Sequence, residues 1–310
     1  MQLDEKTYYN YLSIKSNILR PLDKFMSQDE MHEVCNSFIF KKKFFTIPFF
    51  LTANSKEIKN INNGLVDIYF KKIFITKLKV LSVSSFDKSK LINKIFKKNK
   101  KHPYAEFIKN SKDYIVETES FADKKKYPIK KNLVGFATRN IPHRGHEKIV
   151  LNTSLKKKVM IIINSDISKN KKINANLSFE AYKKFIKREK ITKKITLKKI
   201  TLPSFLLGYR QAALHALIGK NLGCGNFIIG RDHSGYKNFY TEFESFKFCK
   251  KHEKKIELKI LPSGSPRYCY GCKKVIFRGE CKCKNKSFDI SSSLIRSLKD
   301  KKKIKLMSNF

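Results

Sequence analysis

The sequence predicts an α/β protein in two parts: a strand-rich α+β domain over 1–128, then a doubly wound parallel sheet over 129–310. Three observations carry this. Short runs rich in β-branched and aromatic residues crowd the first part. From about residue 131, apolar strands alternate with helices of about 10–15 residues, a pattern of parallel strands joined by crossovers. Between the two lies the charged stretch Asp123-Lys124-Lys125-Lys126-Tyr127-Pro128, which reads as a linker. With 310 residues, 41% of them hydrophobic, the chain has enough material for one large or two ordinary domains.

In the first part, strands are predicted over 44–51, 67–70 and 73–83, and helices over 28–35 and 88–96. In the second, strands are predicted over 133–137, 159–164, 195–202, 227–230 and 256–261. Helices are predicted over 144–155, 179–189, 210–222 and 237–252. Ligands of such sheets bind beyond the carboxyl ends of the strands. His143 and Arg231 both follow predicted strands, so both can reach one crevice. There are no internal repeats. No apolar run approaches the roughly 18–20 residues that span a bilayer. Residues 1–10 are polar and carry Asp4 and Glu5, unlike a signal peptide. The expectation is a soluble cytoplasmic protein with no membrane partner.

The net charge is +42. Of 68 basic residues only nine are Arg, and Lys, Ile, Asn and Phe are all abundant, the residue set of A/T-rich codons. The lysines are scattered over the whole chain, so a solvated basic surface is expected and no specific nucleic-acid partner. Such a charge steers small anions toward the protein. Where Lys has filled most basic positions, a remaining Arg marks a place that needs a planar fork. Five of the nine, Arg139, Arg144, Arg210, Arg231 and Arg296, fall in the three blocks that follow.

The first block is Gly135-Phe136-Ala137-Thr138-Arg139-Asn140-Ile141-Pro142-His143-Arg144-Gly145-His146-Glu147. A buried apolar run ends in a polar turn, and two histidines three residues apart open a helix. Unpaired N–H groups and the helix dipole make such a turn an anion site. Two imidazoles with Arg139 and Arg144 suit a nucleoside triphosphate whose α-phosphorus is attacked. Histidines at this spacing also occur as metal ligands and as core residues; the strand–turn–helix context favours phosphate. The second block pairs the stretch 208–221 with the loop Gly230-Arg231-Asp232-His233-Ser234-Gly235. The third is Ile290-Ser291-Ser292-Ser293-Leu294-Ile295-Arg296.

Of the seven cysteines, Cys35, Cys224 and Cys249 sit in apolar surroundings and read as small core residues. Cys269-x2-Cys272 and Cys281-x-Cys283 put four thiols within 269–283, with Gly271 and Gly279 allowing tight turns. Two close pairs supply the four soft ligands of tetrahedral zinc. A pair of disulfides, free thiols or an iron–sulfur cluster are the alternatives. A closed four-thiolate site leaves no open position, so Zn²⁺ there is structural.

The first block resembles the T-R-N-P-x-H-R-x-H element of the ATP sulfurylase (sulfate adenylyltransferase) family, with Ile141 and Pro142 in inverted order. The stretch 208–221 resembles a helix of that family, and 230–235 its G-R-D-H-A-G loop. The third block is similar to the I-S-x-T-x-[IL]-R signature of the wider class of nucleotidyltransferases. More loosely, Pro21-Leu22-Asp23-Lys24-Phe25-Met26 with Ile47-Pro48-Phe49-Phe50-Leu51-Thr52 resembles the family's N-terminal PUA-like domain.

The resemblance implies a PUA-like domain followed by a Rossmann-like nucleotidyltransferase domain. It implies transfer of AMP from ATP, with Mg²⁺, to sulfate, giving adenylyl sulfate and pyrophosphate, or the reverse. Carried over by motif position, the catalytic residues are His143, His146, Arg139 and Arg231. ATP is bound by Thr138, Asn140, His143, His146, Gly230, Arg231, His233, Ser292, Ser293 and Arg296. Sulfate lies against Arg139, Ala137 and Ser234. His215 is expected to be structural. Some bacterial members carry zinc in the cysteine segment with one histidine among the ligands, a place that Cys283 takes here. The resemblance also implies a homo-oligomer whose product passes to an adenylyl-sulfate kinase or reductase. Two departures matter: the family usually has Gln at Ala137, a sulfate donor, and Ala at Ser234. They leave open a nucleotidyltransferase for another oxyanion or a phosphorylated acceptor. A third reading is an RNA-binding PUA-like protein with an inactive site, against which the intact His143, His146, Arg231 and Arg296 argue.

Overall fold

Two five-stranded sheets organise the chain in a computed structural model that describes residues 1–96, 101–164, 175–283 and 287–290. The first part opens with β1 (Gln2–Leu3) and α1 (Glu5–Lys15), the latter started by Asp4, whose carboxylate accepts the Thr7 N–H at 2.9 Å. α2 (Gln28–Ser37) is started by a reciprocal Ser27–Glu30 capping box. The small hairpin β2 (Ile39–Phe40) and β3 (Lys43–Phe44) follows, then β4 (Leu51–Ala53) and α3 (Ser55–Lys59). β5 (Leu65–Phe70) and β6 (Ile73–Ser85) pair antiparallel, and α4 (Lys88–Phe96), α5 (Pro103–Lys109) and β7 (Tyr114–Thr118) complete this part. The sheet order is β1-β5-β6-β7-β4. Of the strand predicted over 44–51, only the two ends pair. Residues 45–50 run buried between β3 and β4, and Pro48 in their middle has no N–H to give a ladder.

Residues 119–129 carry neither helix nor strand and lead into β8 (Lys130–Thr138). The alternation then runs α6 (Arg144–Ser154), β9 (Lys158–Asn164), α7 (Ala175–Arg188), β10 (Ile195–Ile200), α8 (Tyr209–Asn221) and β11 (Cys224–Ile229). It ends with α9 (Glu244–Lys251), α10 (Glu253–Ile256) and β12 (Lys259–Pro262). All the pairings are parallel, in the order β10-β9-β8-β11-β12. Successive strands step outward one way from β8 and then the other way from β11. The crevice between the ends of β8 and β11 is thus the topological switch point, where such sheets bind ligands.

Alternate side chains explain the two covered faces. Val134, Ile161 and Ile163 pack with Val150 of α6 and Phe185 of α7. Leu133, Ile162 and Ile229 pack with Leu214 and Ile218 of α8 and Cys249 of α9. Helices on both faces are why these strands read as near-continuous apolar runs. Phe227 wedges between β8 and α8, and a Cβ on Gly135 or Gly219 would lie 2.5 or 2.4 Å from its ring. Only glycine allows that approach.

Two predicted boundaries shift for backbone reasons. Lys237 takes a φ of 46°, which breaks the helix predicted over 237–252, and α9 begins at Glu244. The run predicted as a strand over 256–261 starts as the end of α10; Glu257 turns out at φ 58° before β12. Beyond β12 the chain forms a small three-stranded sheet, β14-β13-β15, from β13 (Arg267–Cys269), β14 (Lys274–Ile276) and β15 (Ser287–Asp289).

The hydrophobic core is continuous from the first sheet through α8 to one face of the second. Along this joint the buried Arg210 guanidinium donates to the carbonyls of Thr46 (3.1 Å) and Cys35 (2.9 Å), and Thr46 Oγ1 donates to the Arg210 carbonyl at 2.7 Å. Asn221 Nδ2 donates to the carbonyls of Ile18 and Arg20, at 2.8 and 2.9 Å. Among the described residues no helix is long and apolar enough to cross a membrane.

Candidate active site

The switch-point crevice is a cavity of about 220 Å³. Ala137, Thr138, Arg139, Asn140, His143 and His146 line it from the end of β8 and the start of α6. Gly230, Arg231, His233 and Ser234 line it from the loop after β11. Ser292, Ser293 and Arg296 lie outside the described residues; Ile290, just before them, also lines the cavity.

The three-residue spacing of the histidines has a local cause. His143 is the N-cap of α6, in extended conformation, and its Nδ1 accepts the N–H of His146 at 3.3 Å. N-cap side chains reach the N–H two or three residues on, so the first histidine organises the turn that presents the second. With Nδ1 accepting, the neutral His143 ring carries its proton on Nε2. The two rings stack with centroids 3.8 Å apart. Burial, and then the neighbouring His143, hold the pKa of His146 well below its ordinary value, so it is neutral at neutral pH. Its Nδ1 lies 3.2 Å from the hydroxyl of Tyr182 on α7, a hydroxyl that the Thr138 side chain also hydrogen-bonds. Thr138 Oγ1 accepts the Asn140 N–H at 3.1 Å, and Arg139 Nη1 donates to Ser204 Oγ at 3.1 Å.

The opposite wall is pinned to α8. His233 Nδ1 accepts the Gly230 N–H at 3.4 Å, and its Nε2 lies 2.9 Å from His215 Nδ1. Burial holds His233 down at about 4. His215 is held well below its usual range by burial, then by His233 and Arg139. Gln211 Oε1 accepts the N–H groups of Phe205 (3.1 Å) and Leu206 (2.7 Å), fixing the next loop to the same helix. Asp232 and Ser234 sit at φ 48° and 58°, and the Ser234 carbonyl accepts the Gly208 N–H at 3.0 Å. Arg231 Nε is 2.9 Å from Glu242, and its Nη1 is 2.6 Å from Asp289.

Sequence reasoning did not find Tyr182, Gln211, Ser204 or Asp289. Tyr182 falls on the buried face of α7 with Ser178, Phe185 and Ile186, where an aromatic reads as core. His215, expected to be structural, touches His233 and lines the cavity.

Apart from this crevice, the thiols of Cys269, Cys272, Cys281 and Cys283 all lie within 4.8 Å of one another and can hold a metal ion. Cys281 Sγ is 3.7 Å from Cys269 Sγ and 3.5 Å from Cys272 Sγ. The backbone N–H of Cys272 holds the Cys269 thiol down at about 7. By contrast, burial pushes Cys35 up to about 11, and Cys224 and Cys249 to about 12, the behaviour of inert core thiols.

The ATP-sulfurylase family model matches residues 113–304, and the PUA-like domain model matches residues 1–118. The sulfate adenylyltransferase of Ignicoccus hospitalis is 26% identical over 270 residues, covering 79% of this chain and 70% of its own. That of Staphylothermus marinus is 24% identical over 310 residues, covering 85% and 80%. That of Carboxydothermus hydrogenoformans is 25% identical over 309 residues, covering 91% and 81%. Among solved structures, the hexameric APS kinase from Thiobacillus denitrificans matches with a TM-score of 0.65 at 13% identity, over 96% of this chain and 57% of that one. That likeness speaks for the fold alone, and this chain spans little more than half the length of its counterpart. The match over most of the second part, on top of the PUA-like first part, makes this chain a member of the ATP-sulfurylase family.

Proposed function

We propose that the chain is a sulfate adenylyltransferase, transferring AMP from ATP to sulfate with release of pyrophosphate, or running the reverse. The observation that carries this is the convergence of the β8–α6 turn and the loop after β11 on one cavity. Sulfate is already deprotonated and needs no general base. One of its oxygens attacks the α-phosphorus, the bond from that phosphorus to the bridging oxygen breaks, and the electron pair leaves with pyrophosphate. The protein therefore acts by alignment and by stabilising charge. His143 and the neutral His146 offer N–H donors to phosphate oxygens at the N-terminus of α6, where the helix dipole favours anions. Thr138, Asn140, Gly230, Arg231 and His233 complete the ATP site. Arg139 holds sulfate, flanked by Ala137 and Ser234. Mg²⁺ bound with ATP supplies charge neutralisation at the phosphates. By motif position, Ser292, Ser293 and Arg296 belong to the ATP set as well.

For the four cysteines we propose structural zinc. Zn–S bonds of about 2.3 Å in a tetrahedron put sulfurs about 3.8 Å apart, close to the observed 3.5 and 3.7 Å. The free thiols suit a reducing cytoplasm. A homo-oligomer, with a kinase or reductase consuming the product, completes the reading.

Pyrophosphate release on mixing ATP with sulfate is the expected result. Release with another oxyanion or a phosphorylated acceptor, and none with sulfate, overturns the acceptor. That second reading has one observation in its favour: Ala137 leaves room in the cavity where the family carries the larger Gln.

A further inference from the structure

We propose that Asp289 is a positioning residue for Arg231, delivered to the nucleotide site by the cysteine-bearing sheet. The inference rests on the ATP site proposed above, not on the identity of the acceptor. Arg231 has a side chain only 14% exposed, and two carboxylates hold it. Glu242 belongs to the same segment, since its carbonyl accepts the Asp232 N–H at 2.8 Å. Asp289 comes from a different sheet. Its Oδ2 lies 2.6 Å from Arg231 Nη1, while its Oδ1 lies 3.1 Å from Arg267 Nε. Arg267 and Asp289 are cross-strand partners on β13 and β15, and Cys269 pairs with Ser287 in the same register. The carboxylate is thus fixed between two guanidinium groups, one from its own sheet and one from the site.

The end of β15 touches the other wall as well. Ile290 lines the cavity, and its Cγ2 lies 3.2 Å from where a Cβ on Gly145 would stand, beside His143. Lys148 of α6 pairs with Glu280 of the cysteine loop at 2.9 Å. The small sheet therefore meets both halves of the crevice. A guanidinium is planar, so holding Nε and Nη1 sets the direction of the remaining Nη2 edge. Fixing that edge before the ligand arrives removes side-chain entropy from the binding step.

Asp289 also brings negative charge to an anion site, and this gives the test a sign. The MgATP dissociation constant is measured by calorimetry on the chain as purified. Asp289→Asn keeps the size but loses the charge that serves two arginines, and it is expected to weaken MgATP about tenfold, within the range for a charged hydrogen bond. A mere counter-charge predicts the opposite: unchanged or tighter binding in Asp289→Asn overturns the proposal. In an Arg231→Lys background the same substitution should change binding less than twofold. A tenfold loss there too means general damage and also overturns it. Wild-type protein that binds MgATP but releases no pyrophosphate with sulfate refutes the acceptor and leaves Asp289 standing. Wild-type protein that binds no MgATP refutes both.

Discussion

His143 caps α6 and His146 stands at its third position, both lining the same cavity. Each change to Ala is expected to lower the rate of pyrophosphate release by roughly 10²–10³-fold, the loss typical of one preorganised donor to a developing charge. Near-normal release from either variant with an intact fold would mean the site is elsewhere. A pH effect follows from His233. Its pKa drops from an ordinary 6.5 to about 4 in the fold, so between these values the unfolded chain binds the proton and the folded chain does not. The stabilisation is full above 6.5 and is lost as the pH falls toward 4. Thermal melts between pH 7 and pH 4.5 should show a decline that His233→Asn flattens. The acceptor pocket offers a third test. Ala137 lacks a donor worth about 1.5–3 kcal/mol to an anion, and Ser234 on the opposite loop offers a hydroxyl. With sulfate as acceptor, Ala137→Gln leaves sulfate use unchanged or improves it, and Ser234→Ala weakens it. With a larger acceptor, Ala137→Gln excludes that acceptor while improving sulfate use, which steady-state kinetics on both anions would reveal. The histidine pair was legible because N-cap geometry is local and writes itself into spacing. Tyr182, Gln211 and Asp289 were not, since each reaches the site from a separate element and no periodicity records it.

At the scale of elements, the second sheet was readable because both its faces are covered, which turns strands into plain apolar runs. The failures came where a residue lacked a ladder N–H or left its expected backbone region. Pro48 breaks a ladder, Lys237 delays α9, and Glu257 turns a β-like pattern into a helix end. The cysteine-bearing sheet was invisible as strands, its three members being three residues each, although its thiols were conspicuous. That sheet carries its own prediction. Metal analysis should find about one zinc per chain, the number for a four-thiolate site. Cys272→Ser should lower the melting temperature more than the activity per folded molecule. Thiols paired as disulfides with no metal would refute it.

For the whole molecule, the lysines behind the net charge of +42 are scattered along the entire sequence. Binding to RNA or DNA should therefore be weak, indifferent to sequence and lost steeply as salt rises. Tight binding to one RNA at physiological salt would contradict this. The change of pattern near residue 130 was legible, but the joint across it was not, because carbonyls accepting from Arg210 and Asn221 leave no mark on the sequence that supplies them.

That joint bears on how the chain can change over generations. Eleven of the thirteen residues of α8 are buried, against its own sheet on one side and the first part of the molecule on the other. A helix with no water-facing side has almost no neutral positions. In a chain rich in lysine, the helix holds a single one, Lys220, in its last turn. At Arg210 a planar fork donates from its two terminal nitrogens to two carbonyls at once. A lysine-rich composition therefore finds little room on this helix, where almost every side chain is buried.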